Sequence, residues 1–385
     1  MCVSTKRNAA HFTRFIYGWP LAVGGLTARR PAPTEDVVDL FEYADNLRYG
    51  ELHLANNPDI ELHAIVAIHS LKLGPAIGGC RFIEYDSTDD ALRDVMRLAH
   101  GMTYKAAISN LEHGGGKAVI VRPPNLTNGQ REEIFDAFGR FVDDLDGKYV
   151  TCEDSGTGVP DMNIVNERTD YVLGTSKDEG GSGDPSPFTA FGVRRGIEAA
   201  AKHVYGRDSL EGLHVAIQGV GHVGYNLARE LHEQGAELTV TDVSEESINR
   251  CVDNFGAQRV APDSIFEVDC DILAPCALGA VLNDETIPRL DCDIVAGAAN
   301  NQLRDIKRHG TMLMERDILY APDYALNAGG LINVAQEYSG YDPDKSRAKT
   351  SEIYDTMLEI FERSDRESVS PALVADRIVE ERLYD

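Results

Sequence analysis

The sequence predicts an α/β protein of two domains, a mixed α/β domain followed by a doubly wound parallel sheet. Three observations carry this. Beyond residue 213 short apolar runs alternate with helical stretches, as in a parallel sheet with helices on both faces. A glycine-rich turn, Gly219–Gly224, sits between a predicted strand and a predicted helix. Asp178–Pro187, DEGGSGDPSP, interrupts all periodicity and marks a boundary near residue 180. At 385 residues the chain is long enough for two cores.

The elements follow in order. Val37–Tyr49 carries Val37, Leu40, Phe41, Ala44 and Leu47 on one helical face. Leu62, Ala64, Val66 and Ile68 alternate as in a half-buried strand. LGPAIGGCRF, ending at Phe82, reads as turn-rich, and Ser87-x-x-Asp90 caps a helix that delivers Lys105 near its end. Lys117 falls at a loop-to-strand junction after Gly114–Gly116. Thr127-x-x-Gln130 opens a helix with Ile134, Phe135, Phe138 and Phe141 inward, and Lys148–Asp154 is a strand ending in two carboxylates before the loop 155–160. Ser186-Pro187 serves as N-cap and first residue of a helix to Tyr205. Strands are expected at Leu213–Gln218, Glu237–Asp242, Asp271–Ala274, Asp293–Ala296 and Ile318–Ala321, and the last fifty residues are helical.

Composition narrows the function. With 63 acidic against 37 basic residues the formal charge is −26, which excludes partners bound through clustered Lys and Arg, nucleic acid and anionic membranes among them. A high-salt environment would also accommodate such an acidic surface. No apolar run approaches the ~20 residues that span a bilayer. Seven cysteines without a CxxC pair suggest neither a metal site nor a disulfide framework, but buried thiols in a reducing cytoplasm. In residues 1–35, Lys6, Arg7 and Arg14 precede the apolar Phe15–Leu26, as in a signal peptide. Pro20 interrupts that stretch and no small-residue cleavage site follows, so a poorly ordered extension is expected.

Lysine is scarce, ten against twenty-seven arginines, yet Met102–Lys117, MTYKAAISNLEHGGGK, holds two. Either this is a helix with a surface lysine and a flexible turn, or Lys105 and Lys117 converge on a small carboxylate-bearing substrate. A phosphate loop is excluded, because Leu111 stands where a Walker motif needs glycine and Ala118 follows the lysine. Gly219, Gly221 and Gly224 form GxGxxG between strand and helix, and Asp242 ends the next strand 18 residues on. That is the context of a Rossmann dinucleotide site: a tight turn, pyrophosphate at a helix N-terminus, and a carboxylate for the ribose. An acidic residue there favours NAD over NADP.

These segments together resemble the Glu/Leu/Phe/Val dehydrogenase family in its leucine/phenylalanine/valine branch, leucine dehydrogenases most of all. The resemblance rests on GPAIGGCRF (Gly74–Phe82), MTYKAA, GGGKAVI (Gly114–Ile120), EDSGTGVPDM (Glu153–Met162), GDPSPFTAFGV (Gly183–Val193), GVGHVG, GAANNQL (Gly297–Leu303) and NAGGLINV (Asn327–Val334). It runs from about Thr34 onward, with a C-terminus shorter than is usual in the family. It implies an extension at 1–35, a substrate-binding catalytic domain at 36–180 with the helices of 346–385 packed back on it, a Rossmann NAD-binding domain at 181–345, and an active-site cleft between the two domains. The implied reaction is reversible: L-amino acid, water and NAD give 2-oxo acid, ammonium and NADH.

By resemblance Lys117 activates water and Asp154 exchanges protons with the amino group. Lys105 binds the substrate carboxylate, and Gly78 and Gly79 line the substrate. Asn300 holds substrate and nicotinamide in register. Thr189 meets the nicotinamide amide, with Gly219, Val220, Gly221, His222, Val223, Gly224, Tyr225, Asp242, Asn300 and Asn327 completing the cofactor contacts. A general base near neutral pH needs a lysine whose pKa is pushed down by burial or a second cation, whereas a carboxylate clamp needs a permanent charge. A glutamate-specific member carries a lysine where this chain has Ile77. Ile77, Cys152, Leu331 and Val334 are expected around an apolar side-chain pocket, costly for a charged substrate. Leucine, valine and isoleucine fit best. Phenylalanine is the alternative, since methylenes discriminate only about 10- to 200-fold, and a non-catalytic NAD-binding regulator is a further one. A cytoplasmic homo-oligomer, dimer or octamer, is expected, without metal.

Overall fold

The computed structural model describes Leu40–Tyr384 apart from Lys177, Glu179 and Leu278. The extension at 1–35 and the first residues of the helix expected from Val37 lie outside the described residues. The chain divides into two compact units. The first comprises the described residues to Leu71 with Pro75–Met102 and Gly115–Val172; the second comprises Lys72–Gly74, Thr103–Gly114 and Leu173–Asp385.

In the first unit α1 (Leu40–Asn46) precedes β1 (Glu51–Asn57), β2 (Leu62–Ser70) and β3 (Ala76–Ile83). Then come α2 (Thr88–Ile108), β4 (Gly114–Val121), α3 (Asn128–Asp143), β5 (Tyr149–Glu153) and α4 (Val159–Asn166). The five strands form one mixed sheet in the order β1-β2-β4-β3-β5. β2 pairs antiparallel with β1 and β4, and β3 pairs parallel with β5.

Side-chain alternation sorts the two faces. Leu62, Ala64, Val66 and Ile68 of β2 join Cys80, Phe82, Ile120 and Tyr149 against Ile134, Phe135, Phe138 and Phe141 of α3. Thr127 caps α3, its hydroxyl accepting from the Gln130 amide at 3.3 Å. Ile65 and Ala67 of β2, with Val119, bury instead against Ala91, Val95, Met96 and Ala99 of α2. β2 is therefore covered on both faces, not half-buried as its alternation suggested, which explains its unbroken apolar run Ala64–Ile68.

Three further expectations give way. Gly74–Phe82 is not a turn but contributes β3, a buried strand whose glycines allow close approach to β4. A Cβ on Gly78 would stand 1.7 Å from the Gly116 carbonyl oxygen. Lys117 is not at a junction but in mid-strand, paired with Ala67 across β2 and β4. The expected loop 155–160 is also shorter, since α4 begins at Val159.

The second unit starts its helices with α5 (Ser186–Tyr205), whose N-cap is Pro185 rather than Ser186. β6 (His214–Gln218), α6 (His222–Glu233), β7 (Glu237–Thr241), α7 (Glu245–Phe255), β8 (Gln258–Arg259), β9 (Ile272–Pro275), β10 (Ile294–Val295), α8 (Ile306–Met314) and β11 (Leu319–Tyr320) follow. α9 (Asp323–Leu326), α10 (Gly329–Ala335), α11 (Pro343–Ser351), α12 (Ile353–Glu367) and α13 (Pro371–Tyr384) end the chain. The sheet order is β11-β10-β9-β6-β7-β8 with every pair parallel. Counted from β6, this is the 3-2-1-4-5-6 order of a Rossmann sheet, and its order reverses between β6 and β9.

The three last helices group with this unit. The part of 36–180 that α13 meets is the end of α2, where Arg382 donates to the Ala107 and Ile108 carbonyls at 2.8 and 3.0 Å. Residues 103–114 group with the second unit too, and the division after β5 falls at Val172, ahead of the glycine-rich stretch. Among the described residues no helix is long and apolar enough to cross a membrane.

Two glycines give opposite expectations. Gly78→Ala should lower stability by at least about 1–3 kcal/mol, the usual cost of overpacking, because backbone would have to move. Gly101→Ala, on α2 with nothing within 4 Å of its Cβ position, should raise it by about 0.5–1 kcal/mol. Urea unfolding of the two variants beside the parent checks both signs.

Candidate active site

Register places one group of polar residues on the α2 face of the first sheet. Ile77, Gly79 and Arg81 alternate away from the Phe82 side of β3, and Ile77 and Gly79 pair with Val150 and Cys152 of β5. Lys117 points to the same face of β4. Its side chain is 6% exposed, and its Nζ lies 3.2 Å from Asp154 Oδ1. The other oxygen of Asp154 accepts from Arg81 Nε at 2.8 Å. Thr157 closes the turn beneath: its hydroxyl accepts from the Asp154 amide at 2.8 Å and lies 2.9 Å from the Cys80 carbonyl oxygen, to which it donates.

Gly79 makes this pairing possible. A Cβ there would sit 2.7 Å from the Cβ of Asp154 and 3.2 Å from Lys117 Nζ. Gly116 has a different reason. The Cβ position there is filled by the Tyr149 ring at 2.8 Å, so this glycine serves sheet packing on the opposite face. Burial works to raise the Asp154 carboxyl, but Lys117 and Arg81 outweigh it and hold the group below the ordinary carboxylate range.

A second group lies in the second unit. Lys105, near the end of α2, donates from Nζ to Asn300 Oδ1 at 3.3 Å. The same oxygen accepts from Asn327 Nδ2 at 2.8 Å, and Asn327 Nδ2 also donates to the Ala298 carbonyl at 2.9 Å. Asn327 is buried and its Oδ1 has no hydrogen-bond partner. Thr189 stands in the first turn of α5, where a Cβ on Gly330 would approach its Oγ1 to 2.6 Å. Leu331 and Val334 follow on α10, Val334 buried and Leu331 half-buried.

The glycine fingerprint builds what its spacing predicts. Gly219 takes φ of +94°, and a Cβ there would strike Ala277 after β9. A Cβ on Gly224 would stand 2.0 Å from the Gly219 carbonyl oxygen. α6 begins after Gly221 with no side-chain cap, leaving the amides of its first turn, from His222 and Val223 onward, facing the turn. Asp242, just beyond β7, accepts from the Val220 amide at 2.8 Å and from the Ser244 amide at 2.9 Å. Tyr225 lies under the Arg250 guanidinium, 3.8 Å from its ring centroid, and accepts from Asn254. The turn, the uncapped helix end and the unpartnered Asn327 Oδ1 suit a nicotinamide dinucleotide.

Sequence reasoning passed over Arg81, although it stands inside GGCRF. The signal was there: read as a strand, Gly74–Phe82 puts Arg81 on the face of Ile77 and Gly79. Asp94, which Arg81 also contacts at 2.7 Å, gave no sequence signal beyond its place in an amphipathic helix.

The depressed Asp154 pKa fixes a pH dependence. Stability contributed by this carboxylate is present above its unfolded value near 4 and lost as pH falls through the lower folded value. Asp154→Asn should cost about 1–3 kcal/mol at pH 7 by unpairing Lys117, and the gap to the parent should close as pH falls below about 4. Urea midpoints between neutral and acid pH measure it.

Residues 53–171 match the Glu/Leu/Phe/Val dehydrogenase dimerisation domain, and residues 180–246 and 237–372 match the Glutamate/Leucine/Phenylalanine/Valine dehydrogenase domain. Leucine dehydrogenase of Thermoactinomyces intermedius is 51% identical over 344 residues, covering 89% of this chain and 93% of that one. The leucine dehydrogenase of Bacillus subtilis (strain 168) is 50% identical over 346 residues, covering 90% and 94%. The crystal structure of L-tryptophan dehydrogenase from Nostoc punctiforme matches with a TM-score of 0.78 at 42% identity, covering 89% of this chain and 98% of that one. With family models matching residues 53–171 and 180–372 and relatives at about half identity over nine-tenths of its length, this chain belongs to the Glu/Leu/Phe/Val family of amino acid dehydrogenases.

Proposed function

We propose that the chain catalyses the NAD-dependent, reversible oxidative deamination of an aliphatic L-amino acid, leucine with valine and isoleucine, to the 2-oxo acid and ammonium. One observation carries the reading: a buried lysine, Lys117, sits 3.2 Å from Asp154, which Arg81 holds from its other oxygen, on a sheet face that also carries Ile77, Gly79 and Cys152. A bound nicotinamide would accept the hydride from the substrate α-carbon. The residues of the chain supply the proton chemistry and the grip. Lys117 activates a water toward that carbon, and Asp154 exchanges protons with the amino group. Lys105 binds the substrate carboxylate, and Asn300, tied to Lys105 and Asn327, orients substrate and nicotinamide.

The apolar Ile77 and Cys152 support an uncharged side chain, since a γ-carboxylate beside them would have to be desolvated. The leucine dehydrogenases at about half identity support the aliphatic choice. NAD is preferred over NADP because the Asp242 carboxylate would repel a 2′-phosphate. The match of residues 53–171 to a dimerisation domain supports a homo-oligomer, dimer or octamer. Among the described residues Cys80, Cys152, Cys251, Cys270, Cys276 and Cys292 form no disulfide, which supports a reducing, cytoplasmic setting.

NADH formation compared across leucine, valine, phenylalanine, tryptophan and glutamate tests the substrate. Leucine should lead, and faster turnover of glutamate would sink the pocket argument. Lys117→Ala should lose about 100- to 10,000-fold in kcat while NADH binding persists. A kcat close to the parent's would remove the lysine from the chemistry. Asp242→Ala should narrow the NAD-over-NADP ratio of kcat/KM; an unchanged ratio would place the discrimination elsewhere.

A further inference from the structure

Asp154 is held from two sides, and only Lys117 belongs to the chemistry proposed above. On the other side Arg81 donates through Nε to Oδ2 and through Nη1 to Asp94 Oδ2 at 2.7 Å. Asp94 accepts at that same oxygen from the Tyr85 hydroxyl at 2.7 Å and at its other oxygen from Arg97 Nη2 at 2.9 Å. The side chains of Arg81 and Asp94 are 19% and 17% exposed. Arg81 comes from β3, Asp94 and Arg97 from α2, and Tyr85 from the connection between them.

We propose that Arg81 is a positioning residue for the dehydrogenase reaction: it binds one oxygen of Asp154, so that the other alone faces Lys117, while Tyr85, Asp94 and Arg97 hold Arg81 in place. The inference rests on the assignment of Lys117 and Asp154 to proton transfer. Three physical arguments support it. A carboxylate torsion is broad and two-fold, and a charge-assisted bond from a planar guanidinium selects one orientation. A guanidinium does not give up its proton, so Arg81 stays a donor while Lys117 and Asp154 exchange theirs. Asp94 offsets the charge of Arg81, so the clamp does not simply add a second bare cation beside Lys117.

The other titratable groups around the pair are Cys80, Cys152, Tyr149 and Asp161. Burial pushes the Cys80 thiol and the Tyr149 phenol well up, and Asp161 is paired with Arg131 at 2.7 Å. Of these groups Asp154 is the one that Arg81 touches, so losing Arg81 acts directly on Asp154.

The test compares Arg81→Gln, Arg81→Lys, Asp94→Asn and Asp154→Asn in the full-length enzyme with leucine and NAD. It measures kcat, KM, the pH profile of kcat and NADH binding by fluorescence. Arg81→Gln should lower kcat about 10- to 100-fold and leave NADH binding unchanged. It should also move the acid limb up, because one of the two cations that hold Asp154 low is lost while its burial remains. Arg81→Lys should restore the limb more than kcat, and Asp94→Asn should give a smaller change of the same sign. An Arg81→Gln enzyme with parental kcat and acid limb overturns the positioning role, and the Lys117–Asp154 reading survives if Asp154→Asn is inactive. An active Asp154→Asn enzyme overturns that reading and the inference with it. If circular dichroism shows Arg81→Gln unfolded, parental limbs in both Arg81→Lys and Asp94→Asn overturn the role.

Discussion

The contact between Lys117 and Asp154 exists because β3 has no side chain at Gly79. The lysine comes from β4 and the aspartate from the end of β5, with β3 lying between them in the sheet. Any Cβ on the intervening strand would fill the space in which ammonium and carboxylate meet. Gly78 does the corresponding work toward the backbone, letting β3 and β4 approach where a methyl group would collide with the Gly116 carbonyl. The pair is thus a property of strand pairing. Its precision comes from a sheet covered by α2 on one face and by the phenylalanines of α3 on the other, which is a stiffer mount than a loop.

The second unit reaches its site by a different constraint. In the turn from β6 to α6 the geometry is set by the positive φ of Gly219 and by the absence of a Cβ on Gly224, where helix and strand would otherwise clash. Asp242 does more than stand ready for a ribose. By accepting from the Val220 amide it ties the end of β7 to the glycine turn, so the residue read as a specificity determinant also shapes the loop. Replacing it therefore acts on turn geometry as well as on charge, and its effect on cofactor preference has to be judged as a ratio between the two dinucleotides.

Much of this was legible in the sequence, for physical reasons that differ by region. The parallel sheet of the second unit could be read because each strand is a short apolar run between helices, and because GxGxxG has one structural context that satisfies all its parts. The helix from Thr127 could be read because its cap and its four inward aromatic and aliphatic residues agree. β3 could not, because AIGGCRF has the composition of a turn; its glycines answer to tertiary contact with β4, which no local propensity encodes. Lys117 was misplaced at a junction for the same reason. β1 escaped notice because ELHLANN at the edge of the sheet is mostly exposed or half-buried. Lys117 and Asp154 were identified by family pattern, whereas Arg81 needed the register of β3 before it could be seen.

The division between lysine and arginine follows from the same chemistry. In a chain with twenty-seven arginines, the buried and half-buried structural clamps are guanidinium groups: Arg131 on Asp161, Arg194 on Glu198 and Glu230, and Arg382 on the end of α2. These posts call for a fixed charge and several donors in one plane. Among the described residues Lys117 is the one buried lysine. An ammonium is the cation of the two that can release a proton in the range where an enzyme works. In the proposed mechanism, a carboxylate whose other oxygen is already taken by an arginine leaves one short path for that proton, between Nζ and Oδ1. The scarcity of lysine elsewhere and its burial here set Lys117 apart from the arginine clamps, as the proposed proton exchange requires.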